Sequence, residues 1–206
     1  MRLLLVAMLC AMTATVTIAP LDAQENDRAT AIFAGGCFWC VEADFDKIPG
    51  VLETTSGYIG GEVPNPSYEQ VAAKKTGHHE AVRITYDPEK VSYEELLTAF
   101  WHSIDPTDGG GQFCDRGEPY ESGVFVLGPK QRELAKKSRE EVEAELGTEV
   151  ATTIEEGGIF YPAEEYHQNY YQKNSLSYQF YRWNCGRNNR VEEVWANQAY
   201  KGIPKD

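Results

Sequence analysis

The chain is short of positive charge. Nineteen lysines and arginines stand against 32 aspartates and glutamates, for a formal net charge of −13 and a pI of about 4.8. No Lys/Arg cluster able to track phosphates is present, which excludes nucleic acid and anionic membrane surfaces as partners. Histidines number only four, and the one adjacent pair, His78-His79, falls at the start of a strand pattern, where neighbours point to opposite faces. That denies a zinc ion the second ligand pair that the Cys37/Cys40 spacing would need, so no metal is expected. Internal repeats, low-complexity tracts and dividing linkers are also lacking. What remains is one domain long enough to bury a real core.

Long apolar runs are missing except at the beginning. Arg2 leads into Leu3–Met12, apolar patches continue to Ala19, and Leu21-Asp22-Ala23 precedes the polar Gln24-Glu25-Asn26-Asp27. This resembles a secretory signal cleaved near Ala23. Thr13, Thr15 and Thr17 make it a poor membrane span, and Ala7-Met8-Leu9 before Cys10 does not read as a lipoprotein box. The expectation is a signal peptide over 1–23 and a single domain over 24–206. The mature protein would be exported, periplasmic or secreted, with no membrane attachment after cleavage.

Cleavage would leave four cysteines, Cys37, Cys40, Cys114 and Cys185. Two structural bridges are one reading for an exported chain. Against it, the domain is too large to need staples, and Cys37 sits in a reactive setting. The run Thr30–Ala34 has β character, Gly35-Gly36 follows, and then Val41, Phe45 and Ile48 recur at helical spacing. Cys37 is thus placed at a helix N-terminus, where unpaired amides and the helix dipole favour thiolate. The glycines permit a tight turn, and Phe38 and Trp39 can wall an apolar pocket beside the sulfur.

Further along, Val51–Tyr58 reads as a strand, Gly60-Gly61 and Pro64-Asn65-Pro66 as a loop, and Glu80–Tyr86 as an alternating strand with Val82, Ile84 and Tyr86 on one face. Ser92 and Glu95 form a capping box opening a helix to about Ser103. Residues 105–119 read as a long glycine-rich loop, of the kind that is usually functional or disordered. A strand over 123–127, a charged helix over 129–146 closed by Gly147, a strand over 150–154 and a short helix over 164–173 follow. From Ser177 on, only short helices are expected. Strands interleaved with helices indicate an α+β, sandwich-like domain: a mixed sheet with flanking helices and long coil segments.

Glu80 opens a strand otherwise built of apolar and β-branched residues. It is either a solvated strand end or a carboxyl group whose pKa is raised by an apolar pocket, so that it can donate a proton. Tyr68, Asp115, Tyr120 and Cys114 are each unremarkable alone. Cys37-Phe38-Trp39-Cys40 also permits a thioredoxin-like dithiol.

Taken together, Gly35–Glu42, Gly57–Gly61, Pro64–Tyr68, Gly77–Val82, Phe100–Thr107, Gln112–Gly117, Phe160–Gln168 and Asn184–Arg187 resemble peptide methionine sulfoxide reductase A, over roughly residues 29 to 195. The resemblance implies a ferredoxin-like core and thiol-dependent reduction of methionine-S-sulfoxide, free or in proteins, as oxidative-damage repair. It makes Cys37 the nucleophile and Glu80 the proton donor to the sulfoxide oxygen. Phe38 and Trp39 become the pocket for the substrate methyl, while Tyr68, Asp115 and Tyr120 become polar groups around the oxygen. It further implies a sulfenic acid on Cys37, resolved as an intramolecular disulfide. Cys185 is the first choice for the resolving thiol, Cys40 the second and Cys114 a third that could simply be a buried thiol. No organic cofactor is implied. Electrons come from a thioredoxin-like protein or dithiothreitol, and the protein is expected to be a monomer. The alternative is a thioredoxin-like thiol–disulfide oxidoreductase using Cys37 and Cys40.

Overall fold

A computed structural model describes residues 28–205; the expected signal peptide lies outside the described residues. In chain order the elements are β1 (Ala29–Ala34), α1 (Phe38–Phe45), β2 (Val51–Ile59), α2 (Tyr68–Ala72), β3 (His79–Tyr86), α3 (Tyr93–Trp101), β4 (Gly111–Gln112), β5 (Asp115–Arg116), β6 (Gly123–Val126), α4 (Pro129–Leu146), β7 (Thr153–Glu156), β8 (Tyr161–Pro162), α5 (Tyr170–Lys173), α6 (Ser175–Asn184) and α7 (Arg187–Trp195). The main sheet runs β7-β6-β1-β3-β2-β8. Its middle four strands, β6-β1-β3-β2, are all antiparallel and are joined through α1 and α3, the order of a ferredoxin-like βαββαβ unit. β7 adds in parallel to β6 and β8 antiparallel to β2, so the whole sheet is mixed.

The local rules explain these elements. β1 lies in the middle of the sheet and is buried along Ala31–Ala34, which accounts for its continuous apolar run. Val82, Ile84 and Tyr86 of β3 point into the larger core with Phe33, Phe45, Leu96, Leu97 and Phe100 from β1, α1 and α3. Ala81, Ile32, Ala34, Ile59 and Phe125 form a smaller cluster on the opposite face. The capping box at α3 is complete: Ser92 Oγ accepts the Glu95 amide at 3.2 Å and Glu95 Oε2 accepts the Ser92 amide at 2.7 Å. α4 starts with Pro129 and ends on Gly147 in the left-handed region at φ 68°.

Two expectations need correction. The strand expected over 150–154 begins at Thr153, because the Ala151 amide bonds Pro106 O at 2.7 Å and the Val150 amide bonds Glu143 Oε1. The helix expected over 164–173 is reduced to Tyr170–Lys173, since Asn169 is left-handed at φ 54° and cannot propagate a helix from Glu164. The C-terminal region holds the expected short helices, α6 and α7, which are ten and nine residues long. The glycine-rich segment 105–119 is an ordered structure. It contains the β4–β5 hairpin, and the Gln112 side chain bridges the Asp105 amide and carbonyl at 2.9 and 2.7 Å.

Candidate active site

Two glycines turn the chain out of β1 and into α1. Gly36 sits at φ +79°, and a Cβ there would lie 2.6 Å from Gln112 Cβ, so this turn needs glycine. The Gly35 carbonyl accepts from Arg187 Nη1 at 3.0 Å, and the same guanidinium reaches Ser103 O at 3.0 Å. Arg187 is fully buried and lies over the Phe113 ring at 4.6 Å. It joins the C-terminal part of the chain to the turn that presents Cys37.

Cys37 is the N-cap of α1 and is buried, as is Cys40 one turn later. The first amide of the helix, that of Phe38, donates to Glu80 Oε2 at 3.1 Å. Glu80 comes from β3, opposite Tyr58 in the register, and is 2 % exposed. Burial raises its pKa to about 8, against the lowering effect of the Phe38 amide. Of the two readings of this residue, the buried neutral acid is the one that its surroundings support.

The thiol pair differs from the simple helix-dipole expectation. Burial pushes the Cys37 thiol well up, and Cys40 beside it adds to the rise. Cys40, hydrogen-bonded to Cys37 and facing Arg187 and Arg182, is pulled down to about 7. The helix amide that would have favoured a Cys37 thiolate is occupied by Glu80. The two thiols titrate together, and the hydrogen bond between them with the nearby guanidinium groups of Arg187 and Arg182 favours loss of one proton from the pair.

A cavity of about 50 Å³ opens at the sulfur. Cys37, Phe38, Trp39 and Glu80 form its floor, and Tyr68, Asp115 and Tyr120 its polar side, so every expected site residue except the further cysteines lines one space. Phe38 packs against Tyr58 and His167, with ring centroids 5.9 and 5.0 Å apart. Trp39 is stacked on Tyr170 at 3.8 Å and donates from Nε1 to His167 Nδ1 at 3.0 Å. Accepting at Nδ1 leaves His167 neutral, consistent with its lowered pKa from burial. Glu164 carries the other side: it accepts from the Tyr58 hydroxyl at 2.8 Å and from the Tyr68 amide at 2.9 Å. The Tyr68 hydroxyl hydrogen-bonds Tyr120, and burial raises Tyr68 to about 12 and Tyr120 further, so both stay protonated donors.

The remaining wall was not expected. Tyr181 of α6 lines the cavity, its hydroxyl lies in hydrogen-bonding contact with the Cys37 sulfur, and it donates to Asp115 Oδ2. Burial raises the Asp115 pKa. Cys185, one turn beyond Tyr181, is bonded to Cys114 in a disulfide with a Cα–Cα distance of 4.9 Å. Its Sγ lies 3.8 Å from Asp115 Oδ2. Cys114 is therefore an exposed, oxidised residue and not a buried thiol. The structure thus places Cys40 beside Cys37 and pairs Cys185 with Cys114, across Asp115 and Tyr181 from the nucleophile. His167, Glu164, Arg187 and Tyr181 escaped the sequence reading. The first two lie in the stretch Phe160–Gln168 that carries the resemblance. The spacing of Tyr181 and Cys185, one helical turn, would have pointed to the last had the bounds of α6 been foreseen.

A family model described as peptide methionine sulfoxide reductase matches residues 29–199. Among curated proteins, the chain is 50% identical over 183 residues to the peptide methionine sulfoxide reductase MsrA 2 of Rhizobium meliloti, covering 89% of this chain and 91% of that protein. The MsrA 2 of Caulobacter vibrioides is 48% identical over 197 residues, covering 95% of this chain and 100% of its own length. Among solved structures, Mxr1 from Saccharomyces cerevisiae in reduced form superposes with a TM-score of 0.69 at 31% identity, covering 74% of this chain and 88% of that one.

Proposed function

The chain belongs to the peptide methionine sulfoxide reductase family, and from that premise we propose how its own residues divide the work of reducing a methionine sulfoxide. The protein is an enzyme that uses thiols as the reductant of the sulfoxide. Cys37 attacks the sulfoxide sulfur. Cys40, half ionised near neutral pH, takes the Cys37 proton as the attack proceeds, and Glu80 delivers its own proton to the sulfoxide oxygen. The oxygen is a poor leaving group until it is protonated, so a neutral acid and a nascent thiolate must coexist in one space. The observation that carries this reading is the Phe38 amide holding the buried, protonated Glu80 against the helix end that starts at Cys37.

Methionine leaves, and Cys37 is left as a sulfenic acid. The Cys40 thiol condenses with it: an S–S bond forms and water departs. Cys185, when reduced, then attacks this disulfide, and Cys114 resolves the mixed disulfide. Cys37 and Cys40 return to thiols while the oxidation rests on Cys114–Cys185. Free Cys37 and Cys40 beside a closed Cys114–Cys185 bond are what such a transfer leaves behind, which supports this order. This order makes Cys40 the immediate resolving thiol and Cys185 the carrier outward. Exposure of Cys114 gives an external dithiol a sulfur to attack, and a thioredoxin-like protein is the partner we assign.

Selectivity for the S epimer follows from a pocket with an apolar wall at Phe38 and Trp39 and a donor wall at Tyr68 and Tyr120. Such a pocket seats methyl and oxygen in one mirror arrangement only. We propose export after removal of residues 1–23, action as a monomer on free or protein-bound sulfoxide, and a thioredoxin-like reductant in the same compartment. Sequencing the N-terminus of protein recovered from an exporting host tests the first point, with Gln24 as the expected new start.

The mechanism is tested by treating fully reduced Cys185→Ser protein with one equivalent of sulfoxide and mapping disulfides by mass spectrometry. Accumulation of Cys37–Cys40 supports the order given. A lasting Cys37 sulfenic acid with Cys40 still free overturns it and returns Cys185 to the place of immediate resolving thiol.

A further inference from the structure

Tyr181 and Cys185 stand one turn apart at the C-terminal end of α6, where the Cys185 amide bonds Tyr181 O at 2.9 Å. Asp115 and Cys114 are neighbours in the hairpin facing them. The Tyr181–Asp115 hydrogen bond and the Cys185–Cys114 disulfide therefore tie the same two segments at adjacent points, across the mouth of the cavity. Behind this double tie, Cys37 is 7 % exposed.

The helix is otherwise weakly seated. Tyr178 is its one buried residue, while Leu176, Phe180 and Trp183 point outward and are 81, 66 and 74 % exposed. Cavities of about 690 and 230 Å³ run beside it, and both reach Tyr178, Gln179 and Arg182. Arg182 anchors the middle of the helix through Asp44 at 2.9 Å and Tyr200 at 3.1 Å. Past the disulfide, Gly186 turns at φ +68°, and Arg187 is fixed in the core. Gly186 thus puts a glycine joint four residues past the Arg182 anchor and five past Tyr181, the residue that covers Cys37. Without the S–S bond, helix and hairpin are tied at this point by hydrogen bonds to Asp115 Oδ2 alone, from the Tyr181 hydroxyl and from the freed Cys185 thiol at 3.8 Å.

We propose that Tyr181 is a redox-gated positioning residue, held over Cys37 by the closed Cys114–Cys185 disulfide and released when that disulfide is reduced. The inference rests on the reading of Cys37 as the nucleophile. An external dithiol opens the latch: its thiolate attacks the exposed Cys114 Sγ, the S–S bond breaks, and Cys185 leaves as a thiolate. The second external thiol then displaces Cys114 and ends as the partner's own disulfide. The device orders the cycle. Sulfoxide reaches Cys37 only once a reduced Cys185 is ready to carry the oxidation away, so the Cys37–Cys40 disulfide is not formed with no thiol at hand to reopen it.

The test is the rate at which iodoacetamide alkylates Cys37, read by peptide mapping so that Cys40 is counted separately. Wild-type protein with the outer disulfide closed and both inner thiols free is compared with fully reduced wild type. The latch predicts alkylation slower by about tenfold or more in the closed form, the ratio expected when the open state is held to a tenth of the population or less. Tyr181→Ala in the closed form should recover the fast rate, and Cys114→Ser should alkylate equally with or without reductant. Equal rates in closed and reduced wild type overturn the proposal without recourse to any variant, and so does a Tyr181→Ala protein that stays slow when closed. Alkylation is read without sulfoxide turnover, so a failed latch and a failed reductase reading give different results.

Discussion

The Glu80 carboxylate oxygen Oε2 lies 3.1 Å from the Phe38 amide nitrogen, so the acid on β3 is fixed at the end of the helix that begins with Cys37. One hydrogen bond ties the proton donor to the start of the nucleophile's helix, and it does so with a backbone group that, among substitutions at Phe38, only proline would remove. The same bond competes with burial for the charge on Glu80, and burial wins.

This fixes the pH dependence. Cys40, at about 7, must be ionised to accept the Cys37 proton, and Glu80, at about 8, must be protonated. The value of kcat/KM should rise through about pH 7 and fall above about pH 8, a narrow bell belonging to the coupled groups. Glu80→Gln should slow the chemical step by about 10²–10⁴-fold and abolish the alkaline fall. A profile still climbing at about pH 9 would remove Glu80 from its role.

Glu80 also affects stability. The unfolded chain releases this proton near the ordinary 4.5, and the folded chain keeps it to about 8. Between those values the folded state binds more protons, so this group's contribution to stability declines as pH rises and is flat above. Glu80→Gln lacks the titration and can still accept from Phe38. Denaturant midpoints should therefore favour the Gln variant increasingly between about pH 5 and about pH 8.5. A gap that is constant with pH would show that burial does not hold the proton on Glu80.

The parts of this account differ in how far they could be read from the chain. β1, β2, β3, α3 and α4 carry clear periodicity or caps, and the Gly-Gly-Cys turn announces its own geometry. Glu80 was ambiguous, because a strand-end glutamate looks the same in sequence whether water or Phe38 meets it. Asn169, in a left-handed conformation, delays to Tyr170 a helix that pattern alone would have started at Glu164. The Tyr181–Asp115 and Cys114–Cys185 ties link positions 66 and 71 residues apart. No local rule reports such separations, and α6 hides its inward face because the outward one is the more apolar.

Gly36→Ala should be damaging beyond its size. The residue sits at φ +79°, and its Cβ would meet Gln112 Cβ at 2.6 Å. Left-handed strain in a non-glycine residue costs about 1–3 kcal/mol, and the clash must also displace Gln112, which braces Asp105. Both stability in urea and turnover should drop. Unchanged turnover would mean that the turn can relax without moving Cys37.

Arg187→Met tests the anchor behind the turn. The substitution removes the donor from the Gly35 and Ser103 carbonyls, and an orphaned buried acceptor costs about 1–3 kcal/mol. Arg187→Lys should rescue little, because an ammonium cannot reproduce the planar fork that serves both carbonyls. A Lys variant with wild-type stability and rate would contradict this role.

The most direct test of the central claim uses protein lacking residues 1–23, dithiothreitol, and the separate S and R epimers of a methyl sulfoxide, with Cys37→Ser in parallel. The account predicts turnover of the S epimer alone and none by the variant. Equal turnover of both epimers, or turnover that survives loss of Cys37, would contradict it.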